Sequence, residues 1–231
     1  MMVRLGNARG DKRQRVPRHL DDEFFLYEGG EISRKLRREI TRVRIGPRVK
    51  DIPVGTFHSC INLTEVQFNE GLQIIGRGAF LKCVSLQQVT IPSSVAKLGK
   101  RAFEGCSNLA QVHFSGGLQI IGNRAFCRCK ALQQMTIPST VTKLGRFSFW
   151  NCCNLAEVQF KEGALQIIGD SAFHSCVALQ SVTIYLRASP SWVMRHFLVA
   201  LTCQEYSSPS KGLEMIGRKW MPDTAKRNRA F

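Results

Sequence analysis

The sequence lacks long hydrophobic segments, and its acidic residues are few relative to its basic ones. No apolar stretch approaches the ~18 residues that a transmembrane helix needs, so we expect no membrane span. The first 20 residues contain no apolar core of the kind found in a secretory signal peptide. These absences predict an intracellular location, either cytoplasmic or nuclear.

Enzyme motifs are also missing from the chain. The patterns G-x-S-x-G, H-E-x-x-H, G-x-G-x-x-G and the phosphate-binding P-loop do not occur. None of the five histidines has an acidic residue at motif spacing, and His58 and His174 lie five repeat units apart. We therefore expect no catalytic residues and no cofactor, and we predict that the protein is not an enzyme.

The charge balance is strongly basic. The 231 residues include 33 Lys and Arg against 17 Asp and Glu, which gives a formal net charge of +16. This excess favours acidic partners, nucleic acid among them, but no nucleic-acid motif or aromatic stacking platform is recognisable. Several basic residues follow repeated glycines and would lie on one outer flank, where simple solvation is the alternative explanation. They are Arg77, Lys100, Arg101, Arg124 and Arg146.

A 23-residue repeat dominates what the sequence does contain. Its anchor positions, which are spaced by 23 residues with one final step of 24, are Ile40, Leu63, Leu86, Leu109, Leu132, Leu155 and Leu179. Phenylalanine recurs at positions 57, 80, 103, 126, 149 and 173, and cysteine recurs at 60, 83, 106, 129, 152 and 176. The extra residue, Ala164, accounts for the final shift. Gln88–Gly99 nearly repeats at Gln134–Gly145, which indicates duplication of a two-unit block.

A unit this short cannot bury its own apolar residues, so successive units must stack on one another. The segment L-x-x-V-x-I predicts a strand in which Leu86, Val89 and Ile91 point inward while Gln88 and Thr90 point outward. Stacked parallel strands at ~4.8 Å predict a sheet about 30 Å long. The phenylalanines would then form a continuous row in the core.

The rest of each unit predicts a return to the next strand. Pro92 and Pro138 turn the chain after the strand, and Leu72 and Ile75 form a second apolar pair. Glycines at 76, 99, 122, 145 and 169 would permit a tight backbone bend. The A-F-x-x-C segment has the spacing of one or two helical turns that face inward.

The combined pattern L-x-x-V-x-I-P-x-x-V, then I-G, then A-F-x-x-C resembles the BspA-like leucine-rich repeats, from about Ile40 to Ile184. The resemblance implies a right-handed leucine-rich-repeat solenoid: a curved parallel β-sheet with short helical or irregular turns on the outer side. It also implies a role in adhesion or protein recognition. Many members are secreted surface proteins, and we do not carry that location over to a chain without a recognisable signal sequence.

Four regions follow from the pattern. Residues 1–20 form a basic tail that we expect to be disordered, and residues 21–39 form an N-terminal cap whose aromatic residues cover the first coil. Residues 40–184 form the solenoid, with about six full coils plus a seventh strand. Residues 185–231 form a C-terminal cap and a basic tail.

The two ends carry further predictions. Ser189 and Pro190 predict the start of a capping helix of about 12–15 residues, and an interfacial membrane helix is the alternative. The stretch 212–220 is similar to 71–80, which leaves a further degenerate coil open. The basic segment 12–18 is either a solvated tail, a nuclear import signal or a phosphate contact.

Of the nine cysteines, those in the repeated column are expected to be reduced and buried. Six of the nine share one repeat position, where neighbouring side chains point in the same direction and are poorly oriented for disulfides. Buried free thiols suit both that position and a reducing compartment. Cys127, Cys129, Cys152 and Cys153 suggest zinc, but they lack the C-x(2–4)-C spacing of zinc sites, so we expect no metal.

The resemblance implies that the outward strand positions form a recognition surface on the concave side of the solenoid. These candidate binding residues are Arg42, Arg44, Glu65, Gln67, Gln88, Thr90, Gln111, His113, Gln134, Thr136, Glu157 and Gln159. Amides and hydroxyls both donate and accept hydrogen bonds, so they suit an extended peptide, although simple solvation explains them equally well. Our leading hypothesis is a non-enzymatic scaffold that binds a protein partner through this surface. The alternative is a basic accessory protein that binds nucleic acid or another polyanion.

Overall fold

A computed structural model describes residues 24–163, 165–184, 213–216 and 219–222. Over most of this range the chain forms successive coils, each with a main strand, a two-residue strand and a turn segment. The predicted disordered tail (1–20) and the capping helix that would begin near Ser189 lie outside the described residues. The predicted domain boundaries stay a prediction.

The main strands lie side by side in parallel and, apart from the first, each is displaced by one repeat from the next. They are β1 (Phe25–Tyr27), β2 (Arg42–Ile45), β4 (Glu65–Gln67), β6 (Gln88–Ile91), β8 (Gln111–Phe114), β10 (Gln134–Ile137), β12 (Glu157–Phe160) and β14 (Ser181–Ile184). The register places Gln88 opposite Gln111 and Gln134 opposite Glu157. The predicted stacked parallel architecture is therefore confirmed.

A second parallel sheet runs along the same stack, which the sequence analysis expected only as an apolar pair. Its strands are β3 (Asp51–Ile52), β5 (Ile74–Ile75), β7 (Lys97–Leu98), β9 (Ile120–Ile121), β11 (Lys143–Leu144) and β13 (Ile167–Ile168). The second residue of each strand is buried in the core. This second sheet is continuous over six coils, whereas pairing of the main strands is interrupted between β4 and β6 and between β8 and β10.

The predicted row of phenylalanines is confirmed. Phe57, Phe80, Phe103, Phe126, Phe149 and Phe173 are fully buried. Neighbouring rings stack with centroids 5.1–5.5 Å apart and interplanar angles of 2–10°. Burial of each side chain contributes roughly 1.5–3 kcal/mol, so this row is a large part of the core energy.

The A-F-x-x-C segments form irregular turns, so the expectation of helical turns in them is not met. Backbone N–H groups donate to the neighbouring coil, as when Phe80 N–H donates to Ala102 O at 2.8 Å. Two positions in each coil have positive φ, for example Arg124 (57°) and Arg128 (62°). Residues in this left-handed conformation interrupt a right-handed helix.

The repeated glycines have a different role from the predicted bend. Gly99 and its equivalents are not among the residues with positive φ. A Cβ atom added at Gly99 would lie 2.6 Å from the carbonyl carbon of Gly76 in the preceding coil. Glycine is therefore needed because adjacent backbones approach closely at this position.

The N-terminal end of the stack is covered by residues 24–40. Strand β1 pairs in parallel with β2, and Tyr27 packs edge-on against Phe57 with ring centroids 5.1 Å apart. Helix α1 (Arg34–Glu39) follows, where the Ser33 hydroxyl accepts a hydrogen bond from Leu36 N–H at 3.2 Å. This capping bond and the burial of Leu36 fix a helix that sequence reasoning missed.

At the other end, the chain does not form a further parallel coil within 213–216 and 219–222. Strand β15 (Leu213–Ile216) pairs antiparallel with β16 (Lys219–Pro222), and β16 pairs antiparallel with β14. A further coil would place its strand parallel to β14, whereas β16 runs antiparallel to it. The degenerate coil that the sequence left open is therefore not formed.

Candidate protein-binding face

The outward side chains of the main strands form one surface, here called the strand face. It consists of the twelve candidate residues predicted from the sequence. Their strands alternate as expected: Val89 is buried, whereas Gln88 and Thr90 on either side of it are exposed. The structure brings equivalent residues of adjacent coils together because paired parallel strands lie about 4.8 Å apart.

The N-terminal part of the strand face is occupied by its own contacts. Arg42 donates two hydrogen bonds to Glu65 Oε2, at 2.9 and 2.8 Å, and Arg44 donates one to Gln67 Oε1 at 2.9 Å. Gln67 in turn donates to Glu65 Oε1 at 3.0 Å. Both guanidinium groups lie over the Phe24 ring, 4.2 and 4.8 Å from its centroid. These four predicted residues therefore stabilise the first coils.

The central part of the strand face is exposed and differs from the first coils. Gln88 lies opposite Gln111, and Thr90 lies opposite His113. Within the part of the chain that the structure describes, no side-chain hydrogen bond or ion pair involves the central residues. They are Gln88, Thr90, Gln111, His113, Gln134 and Thr136. Their polar groups are available to a partner.

The C-terminal part of the strand face has one internal bond. Gln159 donates to Glu157 Oε1 at 3.0 Å on the same strand, β12. Gln134 and Thr136 lie opposite these two residues on β10. The hydrogen-bonding groups of Glu157 and Gln159 that this bond leaves unused still face outward.

A shallow depression of about 430 Å³ lies between β4 and β6. Its outward lining includes two carboxylates, Glu65 and Glu70, together with Gln67, Gln88 and Thr90. Acceptors outnumber cationic groups there. The depression suits hydrogen-bond donors of a partner and joins the occupied part of the strand face to its exposed part.

The cysteine column contributes to the core. Cys83, Cys106, Cys129, Cys152 and Cys176 each donate their S–H to a phenylalanine carbonyl of the preceding coil, at 3.1–3.3 Å. Burial raises the pKa of the Cys83 and Cys106 thiols, which keeps them protonated. The prediction of free, buried thiols is confirmed for these positions.

The cysteines considered for zinc do not form a ligand set among the described residues, where no group of three or more His, Cys, Asp or Glu could hold a metal ion. Cys129 and Cys152 donate to backbone carbonyls of the core. Burial, and then the negative charge of Glu104, raise the pKa of Cys127 to about 12. Thiolate, the form that binds metal, is strongly disfavoured there.

Sequence reasoning missed a cluster of arginine and aromatic side chains on the turn segments. Arg128 lies over the Trp150 ring at 5.0 Å, and the guanidinium groups of Arg124 and Arg146 lie 5.3 and 6.0 Å from the Phe147 ring centroid. Trp150 Nε1 donates to His174 Nδ1 at 3.0 Å. One sequence signal could have revealed the cluster: Phe147 and Trp150 occupy the repeat positions at which the preceding coil has Arg124 and Cys127.

The stacked coils, the two parallel sheets and the polar strand face define a leucine-rich-repeat protein. The chain belongs to the BspA type leucine-rich repeat family, whose model matches residues 36–152 and 108–189 with six copies. The resemblance seen in the sequence is confirmed. A search of curated proteins found no match.

The chain is similar to several solved structures. The leucine-rich repeat protein of T. pallidum has a TM-score of 0.53 and 22% identity, over 71% of this chain and 83% of its own. The pneumococcal vaccine antigen PcpA has a TM-score of 0.45 and 18% identity, over 64% of this chain and 51% of its own. A leucine-rich repeat protein from Eubacterium ventriosum has the same TM-score and identity, over 44% of its own chain.

The described part of the chain contains no helix with the length and apolar character needed to cross a bilayer.

Proposed function

We propose that the protein is a non-enzymatic scaffold that binds another protein through the strand face. The observation that carries this proposal is the row of exposed polar side chains on β6, β8 and β10, which have no side-chain partners among the described residues. Pairing of β6 with β8, and of β10 with β12, holds these side chains in fixed register, so their amides and hydroxyls are preorganised on two adjoining strand pairs.

The contrast with the first coils supports the central location. Arg42 and Arg44 already bond to Glu65 and Gln67, so a partner would have to break those bonds before using them. Breaking charge-assisted bonds costs binding energy. We therefore place the main contact at Gln88 through Thr136, with the neighbouring depression as a second contact.

We further propose that the scaffold acts inside the cell. The support is chemical: the cysteines of the described coils are free, and the column thiols donate to core carbonyls. Proteins of oxidising compartments tend to pair their cysteines, whereas unpaired thiols are typical of reducing compartments.

The test replaces three exposed glutamines of the strand face by glutamate: Gln88, Gln111 and Gln134. The matched control carries Gln73→Glu, Gln119→Glu and Gln166→Glu, which add the same charge at exposed positions beside the second sheet. All six side chains are exposed, so both variants should fold. The unfolding midpoint of the strand-face variant is measured before the binding assay, because its substitutions at 88 and 111 place carboxylates opposite each other and its substitution at 134 places one opposite Glu157.

The readout is quantitative affinity purification from a native extract with the wild-type protein and both variants. Partners that require the strand face should fall at least tenfold with the strand-face variant and less than twofold with the control. Recovery of every wild-type partner by the strand-face variant would overturn the proposal.

A further inference from the structure

The turn segments of four coils form a second surface, here called the turn face. It comprises the outward side chains of 76–85, 99–108, 122–131 and 145–154. Of the eleven basic residues between 68 and 184, eight lie in these segments, against one acid, Glu104. The basic residues are Arg77, Lys82, Lys100, Arg101, Arg124, Arg128, Lys130 and Arg146. Folding therefore concentrates a charge that is dispersed along the sequence.

Several of these cations are available to a ligand. Glu104 neutralises Arg101, with Arg101 Nε 3.2 Å from the Glu104 carboxylate. Arg146 pairs with Asp170 at 3.1 Å, but both side chains are more than half exposed, so the pair is weak and exchangeable. Arg124 and Arg128 form no ion pair within the described residues; their guanidinium groups lie over aromatic rings instead.

The rings themselves are half-exposed and held in place. Trp150 is fixed by its hydrogen bond to His174 and lies beneath Arg128. The guanidinium groups of Arg124 and Arg146 lie near the Phe147 ring. Neither ring belongs to the buried phenylalanine row, so core packing does not explain why aromatic residues occupy these positions.

Phe147 is also held in an unfavourable backbone conformation. Its φ is +57°, in the left-handed region that bulky residues rarely adopt. The equivalent positions three units and one unit earlier, Gly78 and Arg124, have φ values of +59° and +57°. The repeat therefore imposes this conformation, and neither the backbone nor core packing requires an aromatic ring at this position.

We propose that the turn face binds single-stranded nucleic acid. Cationic side chains attract the phosphates, while the rings and the guanidinium planes over them offer faces on which unpaired bases stack. Four coils at ~4.8 Å spacing extend about 15 Å, which is enough for a few nucleotides. An acidic protein segment would use the charges but leave the rings without a partner, and a duplex keeps its base faces stacked internally. This surface is separate from the strand face, so the inference does not rest on the proposed scaffold function.

The first experiment measures fluorescence anisotropy of a labelled twelve-nucleotide oligouridine RNA with the full chain, over a series of salt concentrations. The turn-face variant carries Arg124→Gln, Arg128→Gln and Arg146→Gln. Its matched control carries Lys97→Gln, Lys143→Gln and Lys161→Gln, which remove the same charge from exposed positions on other surfaces. The basic termini are present in all three proteins and therefore contribute equally.

We expect at least tenfold weaker binding for the turn-face variant and less than threefold for the control. The slope of log affinity against log salt should decrease by about 2 for the turn-face variant, since each lost phosphate contact changes it by about 0.7 for a single strand. Equal weakening of both variants, or no binding by the wild type at low salt, would overturn the proposal.

A second experiment separates base stacking from charge. Phe147→Gly keeps every cation and introduces the residue that this backbone conformation favours, so the variant should fold. Its affinity for the RNA should fall about fivefold or more. Unchanged affinity, or equally effective competition by a polyglutamate peptide of the same charge, would show that the surface recognises acidic polymers in general and would contradict the proposal.

Discussion

The thiol of Cys106 donates a hydrogen bond to the carbonyl oxygen of Phe80, at 3.1 Å across 26 residues of sequence. Phe80 also stacks on Phe103, which lies in the same coil as Cys106. The cysteine and phenylalanine columns are therefore one structural unit, in which each coil is joined to the preceding one by both a ring contact and a thiol bond.

Thiol labelling should distinguish the column cysteines from Cys153. At pH 8 the native protein should react with N-ethylmaleimide at half-buried Cys153, whereas Cys83, Cys106 and Cys129 should stay unlabelled. Burial raises the pKa of the column thiols and blocks access to them, and thiolate is the reactive form. Peptide mass spectrometry before and after denaturation measures each site; rapid native labelling of the column would contradict its burial.

Truncation in the phenylalanine row should be strongly destabilising. Phe103→Ala removes a fully buried ring that stacks on both neighbours, so the free energy of unfolding should fall by about 3–5 kcal/mol. Urea unfolding monitored by circular dichroism measures the change. Phe147→Ala, at a half-exposed position, is the control and should cost much less; similar losses would argue against a dominant central row.

Substitution of a contact glycine should also be costly. Gly99→Ala places a methyl group 2.6 Å from the Gly76 carbonyl carbon, so two coils must separate locally. Overpacking of this kind costs about 1–3 kcal/mol or more. Gly71→Ala is a useful control because the nearest atom to its added Cβ belongs to a side chain, Asn69, at 3.2 Å. Equal unfolding midpoints for the two variants would disprove the close-approach role.

Stability should depend on the protonation of His58. Partial burial lowers the pKa of His58 from its usual 6.5, and the positive charges of Arg37 and Lys82 lower it further. Between the folded and unfolded pKa values, the unfolded chain binds more protons. The contribution of neutral His58 to the free energy of unfolding is therefore complete above pH 6.5 and is lost as the pH falls below 6.5.

Urea midpoints between pH 5.5 and 7.5 test this dependence. His58→Gln should give a flatter profile than the wild type. His113→Gln, at an exposed position on the strand face, should retain the wild-type profile. A wild-type profile in the His58 variant would remove His58 as the cause.

The core of the fold was predictable residue by residue. The alternation in Q-V-T-I placed Val89 and Ile91 inside and Gln88 and Thr90 outside, as the structure has them. The prediction succeeded because inward and outward residues of a strand alternate with a fixed period of two. Phenylalanine recurs at the repeat position of Phe103, and a short unit can bury such a ring only by stacking on its neighbours.

The errors have a common physical cause. Sequence reasoning assigned the glycines to bends and the A-F-x-x-C segments to helical turns, but both are shaped by the adjacent coil. Gly99 is needed because the backbone of Gly76 lies against it, and Phe80 N–H donates to Ala102 O in place of a helical partner. Such contacts join residues about 23 positions apart, beyond the range of a local pattern.

The candidate strand face was predictable only as a set of positions. Arg42 and Gln88 are equivalent in the repeat, yet Arg42 is bonded to Glu65 whereas Gln88 is exposed without a side-chain partner among the described residues. The difference arises from the neighbouring coil and from Phe24 in the cap.

The sequence by itself determined that similar units stack into a leucine-rich-repeat solenoid. A short unit with a repeated apolar pattern can bury its apolar residues only against neighbouring units. Only the tertiary structure decided which polar side chains remain available and how Phe147, Trp150 and their arginines form one surface. That outcome depends on distances between coils, and a one-dimensional pattern does not contain those distances.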